Sequence, residues 1–187
     1  MEEYLLTLEI KRRKKEYGDF LRGITPLLAD IFEVISREKL GFDVANYSKI
    51  KNDIRFWDIG LLQGDLKIWN ALNKEYRGKM KEGPINSDSL LVIIRTLSKD
   101  AKLNMVCDTL RKIEGSIRNI AAHEIVYVSD IWIQKRTGLL PDKIVNKLTE
   151  ALSFVDTNAG KTDFLDSYDK LNEVLLRELN MVTDDTK

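Results

Sequence analysis

Hydrophobic residues recur along most of this chain at alternating spacings of three and four, the period of helices that each bury one stripe. Tyr17, Phe20, Ile24, Leu27, Ile31 and Ile35 keep that rhythm. It predicts a helical opening segment from about Tyr4 to Arg37, broken where Gly23 and Pro26 interrupt it. Thr25-Pro26 reads as an N-cap followed by proline at the first helical position. Gly41 to Tyr47 is a connector. A second long helical region, Ser48 to about Tyr76, carries Ile50, Ile54, Trp57, Leu61, Leu62, Leu66, Trp69 and Leu72, with Gly60 and Gly64 as bends. Its aromatic residues sit at helical spacing, which fits a core better than a base-stacking platform.

The stretch RGKMKEGPIN (Arg77 to Asn86) is the clearest loop, with a composition that fits either a segment swinging near a substrate or an ordinary solvated loop. Ser87 is the expected cap of a short helix with Leu90, Leu91, Ile94 and Leu97, and Ser98 or Asp100 begins a long central helix. Beyond it, Ile131-Trp132-Ile133 is β-prone but too isolated to build a sheet. Gly138 and Pro141 break the chain before a helix with Ile144, Val145, Leu148, Leu152 and Val155. A linker over Asp156–Thr162 leads to a last helix, Phe164 to Leu179, and residues Val182–Lys187 should fray. With no internal repeat and no strand–helix alternation, the pattern gives an all-α fold. It is one helical bundle over residues 1–187 around a long central helix.

Composition narrows the chemistry. Thirty Lys and Arg balance thirty Asp and Glu, so no global basicity announces a nucleic-acid binder and any RNA contact must be local. The densest basic block, Lys11-Arg12-Arg13-Lys14-Lys15, is either a solvated helix face or a phosphate-facing patch. One cysteine, Cys107, excludes an internal disulfide and suits core packing. One histidine removes the usual metal clusters, so neither metal nor cofactor is expected. No signal peptide or long apolar run is present, which predicts a cytoplasmic protein with no membrane partner. Nucleotide-binding loops and a serine-hydrolase elbow are also missing.

What remains is the stretch Leu103 to Val128, which holds the single histidine, His123. On a helix, Leu103, Val106, Leu110, Ile113, Ile117 and Ile120 form a buried stripe. Arg111, Gly115, Arg118, Asn119 and Ala122 fall on the other side, with His123 at its edge. Gly115 and Ala122 lie seven residues apart and nearly in line, so another backbone can come close there. Such a face suits a site built between two helices. The plainer reading makes His123 an ordinary side chain and pairs Arg118 with Glu114 one turn earlier, a surface interaction of about 0.3–0.5 kcal/mol.

The residues Arg118-Asn119-Ile120-Ala121-Ala122-His123, on a long helix of an all-α domain, resemble the motif of HEPN-superfamily ribonucleases. Within that superfamily the chain is most similar to the C-terminal effector half of the Csm-six proteins, ancillary ribonucleases of type III-A CRISPR systems. Similarity over most of the chain, including YLLTLEIKRRKKEYGDF near its start, carries the closer match. The resemblance implies a homodimer whose paired helices place two copies of Arg118, Asn119 and His123 in one catalytic site, with Gly115 and Ala122 at the interface. Arg111 is a further candidate for substrate binding. The implied reaction is metal-independent cleavage of single-stranded RNA in antiviral defence, by 2′-hydroxyl attack that leaves a 2′,3′-cyclic phosphate. Full-length relatives carry an N-terminal sensor domain for cyclic oligoadenylate. This chain is expected to lack it, as an excised effector domain or a naturally short homologue. The alternative is a HEPN-like module that binds a nucleotide or a protein without cutting RNA.

Overall fold

A computed structural model describes residues 1–123 and 127–155, with residues 170, 173 and 174 beyond them; of residue 2 and residues 118–123 it describes the backbone. The expected linker over Asp156–Thr162, the frayed tail and nearly all of the expected helix from Phe164 to Leu179 lie outside the described residues. The rest is all-α with one small hairpin.

Helices α1 (Glu2–Arg13) and α2 (Tyr17–Val34) pack against each other across a three-residue turn. The break between them is not at Gly23 or Pro26, as the sequence suggested, but at Lys14–Glu16, where Lys15 takes a left-handed turn with φ of 59°. Pro26 lies inside α2. Gly23 serves packing instead, because a Cβ on it would overlap Leu8 Cδ2 of α1 and stand 3.3 Å from the Tyr4 hydroxyl. Gly23→Ala should therefore destabilise the fold by about 1–3 kcal/mol, the usual cost of overpacking, despite the better helix propensity of alanine. Urea melts of the two proteins would measure the difference.

After a π-helical turn (Ile35–Lys39) and a 3₁₀ turn (Val44–Tyr47), the chain departs from the expected second helix. Ser48–Lys51 (β1) pairs antiparallel with Ile54–Trp57 (β2), joined by Asn52 and Asp53 at φ of 49° and 61°. Two consecutive positive φ values form the tight hairpin turn that asparagine and aspartate tolerate. Ile50 and Ile54 are exposed, so the three–four spacing through them was not a buried stripe. Of the two strands only Trp57 goes fully into the core, its ring N–H donating to Ser89 Oγ at 3.0 Å.

Two short helices follow, α3 (Ile59–Gly64), capped by Asp58, and α4 (Leu66–Glu75), capped by Asp65. The loop after α4 does not swing freely. Trp57 N–H donates to the Gly83 carbonyl at 3.0 Å, Ile85 N–H to the Arg55 carbonyl at 3.0 Å, and Glu82 pairs with Lys49 and Lys51. Helix α5 (Ser87–Leu97) is capped by Asn86 rather than Ser87, in a reciprocal box with Ser89. This frees the Ser87 hydroxyl for another role.

Asp100 starts the central helix, α6 (Ala101–His123), by accepting from Lys102 N–H and Leu103 N–H. Its stripe of Leu103, Val106, Leu110, Ile113 and Ile117 is buried against α2 and α5 and against α7 (Asp130–Thr137) and α8 (Pro141–Leu152). Ile131-Trp132-Ile133 is thus the first part of a helix capped by Ser129, and only Ile133 of the three enters the core. Cys107 is buried on the same side of α6, and burial, aided by Asp108, pushes its thiol up to about 12. The fold therefore favours the protonated thiol. That contribution is complete below about pH 9 and is lost as pH rises toward 12. Native Cys107 should resist iodoacetamide at pH 9 and react only at the rate of unfolding, which mass spectrometry of timed aliquots would show.

Candidate functional site

The second half of α6 brings the candidate residues onto one helix. Arg118, Asn119, Ala122 and His123 occupy its last two turns, and the backbone is helical through His123. Arg118 and Ala122 are four apart, as are Asn119 and His123, so each pair stacks one turn above the other. Their side chains lie outside the described residues. Gly115, two turns before Ala122 and offset by about 20° around the axis, is exposed. The nearest atom to a Cβ placed there is Arg111 Nη1 at 3.2 Å. A second helix could thus approach this face closely at Gly115.

Arg111 is not a free hand for substrate. Its Nε and Nη2 both reach Asp88 Oδ1, at 2.6 and 2.5 Å, and Nη1 stands 3.5 Å from Glu114 Oε2. The Asp88 hydrogen bond is the main cause of its raised pKa, so it stays charged. Asp88 belongs to the first turn of α5, where a carboxylate also suits the helix dipole.

Glu114 departs from the plainer reading of the sequence, which put it on the surface beside Arg118: it is wholly buried. Ser87, released from capping by Asn86, donates its hydroxyl to Glu114 Oε2 at 2.5 Å. The other oxygen, Oε1, is buried and has no hydrogen-bond partner among the described residues. Ser87, Asp88 and Glu114 thus form a polar cluster with Arg111 between the start of α5 and the middle of α6. One signal in the sequence pointed to it. Glu114 follows Ile113 directly and lies close to the buried stripe, a place where a carboxylate is costly unless paired.

Among the described residues no group of three or more His, Cys, Asp or Glu could hold a metal ion, and no helix is long and apolar enough to cross a membrane.

The family model of the Cas_Csm6 HEPN domain matches residues 1–176, which include all of α6. The chain belongs to this family. It is also 26% identical over 179 residues to the CRISPR system endoribonuclease Csm6 of Mycobacterium tuberculosis (strain ATCC 25618 / H37Rv). That alignment covers 96% of this chain but spans only 39% of the length of that relative.

In this HEPN domain the basic block at residues 11–15 is largely engaged internally. Lys11 Nζ meets Glu16 at 2.6 Å, and Arg12 and Arg13 both reach Glu9 at 2.6 Å. Burial pushes the Glu9 carboxyl up, but the hydrogen bonds from both arginines outweigh it and hold the group below its ordinary value. A cleft of about 420 Å³ lies beside the block, between Arg12 and Arg13 on α1, Tyr17 on α2, and Asp130 and Pro141 at the starts of α7 and α8. Tyr17 donates its hydroxyl to Asp130 there. Two carboxylates, Asp130 and Asp142, share the lining with the cations, which weakens its appeal to phosphate.

Proposed function

We propose that this HEPN domain is an endoribonuclease of type III CRISPR defence. It cuts single-stranded RNA at a composite site where two copies bring their Arg118, Asn119 and His123 together. The supporting observation is the placement of these three residues on the last two turns of the long helix of a Csm6-family HEPN domain, beside an exposed glycine. Gly115 and Ala122 would let the two helices meet closely enough for the motifs to face one another.

The reaction needs no metal. His123, with an imidazole reference pKa of about 6.5, takes the proton of a ribose 2′-hydroxyl near neutral pH. The 2′-oxygen attacks the adjacent phosphorus, and the bond to the 5′-oxygen of the next nucleotide breaks. The products are a 2′,3′-cyclic phosphate and a 5′-hydroxyl, the latter taking up a proton from the site. Arg118 donates forked hydrogen bonds to the phosphate oxygens as negative charge develops. Asn119, one turn before His123, orients the ring or holds the phosphate. Arg111, held by Asp88 and Glu114, is not available to take the strand. Cyclic oligoadenylate would act through a sensor domain, not through the residues of this bundle.

End-labelled single-stranded RNA, incubated with the protein in EDTA, tests this directly. The expected products end in 2′,3′-cyclic phosphate, and a single 2′-deoxy nucleotide blocks cleavage on its 3′ side. Cleavage that requires a divalent ion, or leaves 3′-hydroxyl ends, would overturn the mechanism. Binding of RNA without any cleavage would favour the silent binding module.

A further inference from the structure

The unpartnered oxygen of Glu114 calls for an explanation. A fully buried carboxylate is retained only where partners offset its lost hydration. Here Glu114 Oε2 has the Ser87 hydroxyl at 2.5 Å and Arg111 Nη1 at 3.5 Å. Arg111 gives its two shorter contacts to Asp88, so two carboxylates share one guanidinium and the cluster is one positive charge short. Oε1 faces no donor among the described residues.

Helix geometry limits which residue of α6 could offer a second cation. Positions three and four away on a helix are neighbours. On the N-terminal side of Glu114 these are Arg111 and Leu110; on the C-terminal side they are Ile117, which is buried in the core, and Arg118. Arg111 and Arg118 flank Glu114 on one stripe, displaced by about 60° and 40° in the same sense around the axis. Arg118 is therefore the one basic residue on α6 placed to complete the cluster from its open side.

We infer that Glu114 is a positioning residue for Arg118, taking one edge of its guanidinium on Oε1. Ser87 and Arg111 hold the carboxylate rigid, Asp88 holds Arg111, and the fixed Arg118 turns its remaining N–H groups toward the phosphate. The arrangement ties the geometry of the proposed site to the start of α5. It rests on Arg118 acting in the RNase reaction, but the contact itself can be read without RNA.

The test uses the whole chain with ¹⁵N-labelled arginine. In the wild type, Arg118 Nε–H, assigned by its loss in Arg118→Lys, should give a shifted and slowly exchanging signal. Glu114→Gln keeps an acceptor for Ser87 but removes the charge and turns an amide N–H toward Arg118, so the signal should return to the position of an exposed arginine. A thermal melt supplies a second reading. Arg118→Ala should lower the melting temperature of the wild type and change it little in the Glu114→Gln background. In cleavage assays Glu114→Gln should lower kcat about 30-fold with KM changed less than about twofold, as expected when an interaction is made mainly in the transition state. An Arg118 signal that ignores Glu114→Gln, or additive melting shifts, would overturn the inference. Should Glu114→Gln fail to fold, the assigned wild-type signal decides alone: slow exchange supports the contact, and the behaviour of an exposed arginine overturns it. If the contact is found but the wild type does not cut RNA, the RNase reading fails and the inferred role in catalysis with it; the pairing remains a structural one.

Discussion

His123→Ala should lower single-turnover RNA cleavage by at least about 10³-fold without unfolding the domain, which matches the contribution expected of a positioned general base. Nothing else can replace it, because the chain has no second histidine. The residue sits at the end of α6, past the buried stripe that anchors the helix. Its removal should therefore leave the melting temperature within a degree or two of the wild type. Arg118→Ala should lose a further kind of function, electrostatic stabilisation of the developing phosphate charge, worth about 10²–10³-fold. The two variants should separate in stability, however. His123→Ala leaves the polar cluster intact, whereas Arg118→Ala strips Glu114 of its proposed second cation. Circular dichroism melts beside the cleavage rates would show both effects.

The second large effect concerns the face rather than the chemistry. Gly115→Leu should abolish cleavage while leaving the single chain at least as stable as before. Gly115 is exposed, and its new Cβ would stand 3.2 Å from Arg111 Nη1, which needs to give only a few tenths of an ångström while keeping its contacts to Asp88 and Glu114. Replacing glycine inside a helix also gains about 0.8 kcal/mol of helix propensity. Packed against a second copy, the same leucine would hold the helices apart by its own bulk and separate the two halves of the site. Sedimentation should show half the wild-type mass, and the melting temperature of the monomer should not fall. A leucine variant that keeps full activity would place the interface elsewhere.

Much of this fold was legible because helices announce themselves through spacing. The stripe of α6 from Leu103 to Ile117 is buried as the three–four pattern required, as is that of α8 from Ile144 to Leu152. The hairpin was not legible, because Ile50, Ile54, Trp57 and Leu61 share helical spacing by coincidence. The contrary signal was Asn52-Asp53, a pair that accepts two left-handed residues in succession. Gly23 shows a related ambiguity. A glycine within a helical pattern marks either a break or a close crossing, and only the neighbouring helix, here Leu8 of α1, decides between them. Of the candidate site, Arg118, Asn119 and His123 were legible as a motif and Gly115 as a small residue on a polar face. Glu114 was not, since burial of a charged residue depends on Ser87 and Asp88, more than twenty positions away. The place of Glu114 beside the buried stripe hinted at burial, but the distant partners that make burial tolerable cannot be read from local spacing.

The central claim is that the active unit is the pair of chains, and dilution tests it most directly. Cleavage of labelled single-stranded RNA in EDTA should be followed over protein concentrations that span the dimer-to-monomer transition, with the mass at each concentration read by sedimentation. The account predicts that activity per chain falls in step with the dimer fraction, so that below the transition the rate varies with the square of concentration. Constant activity per chain through complete dissociation would contradict it, and would assign the chemistry to a single copy of α6.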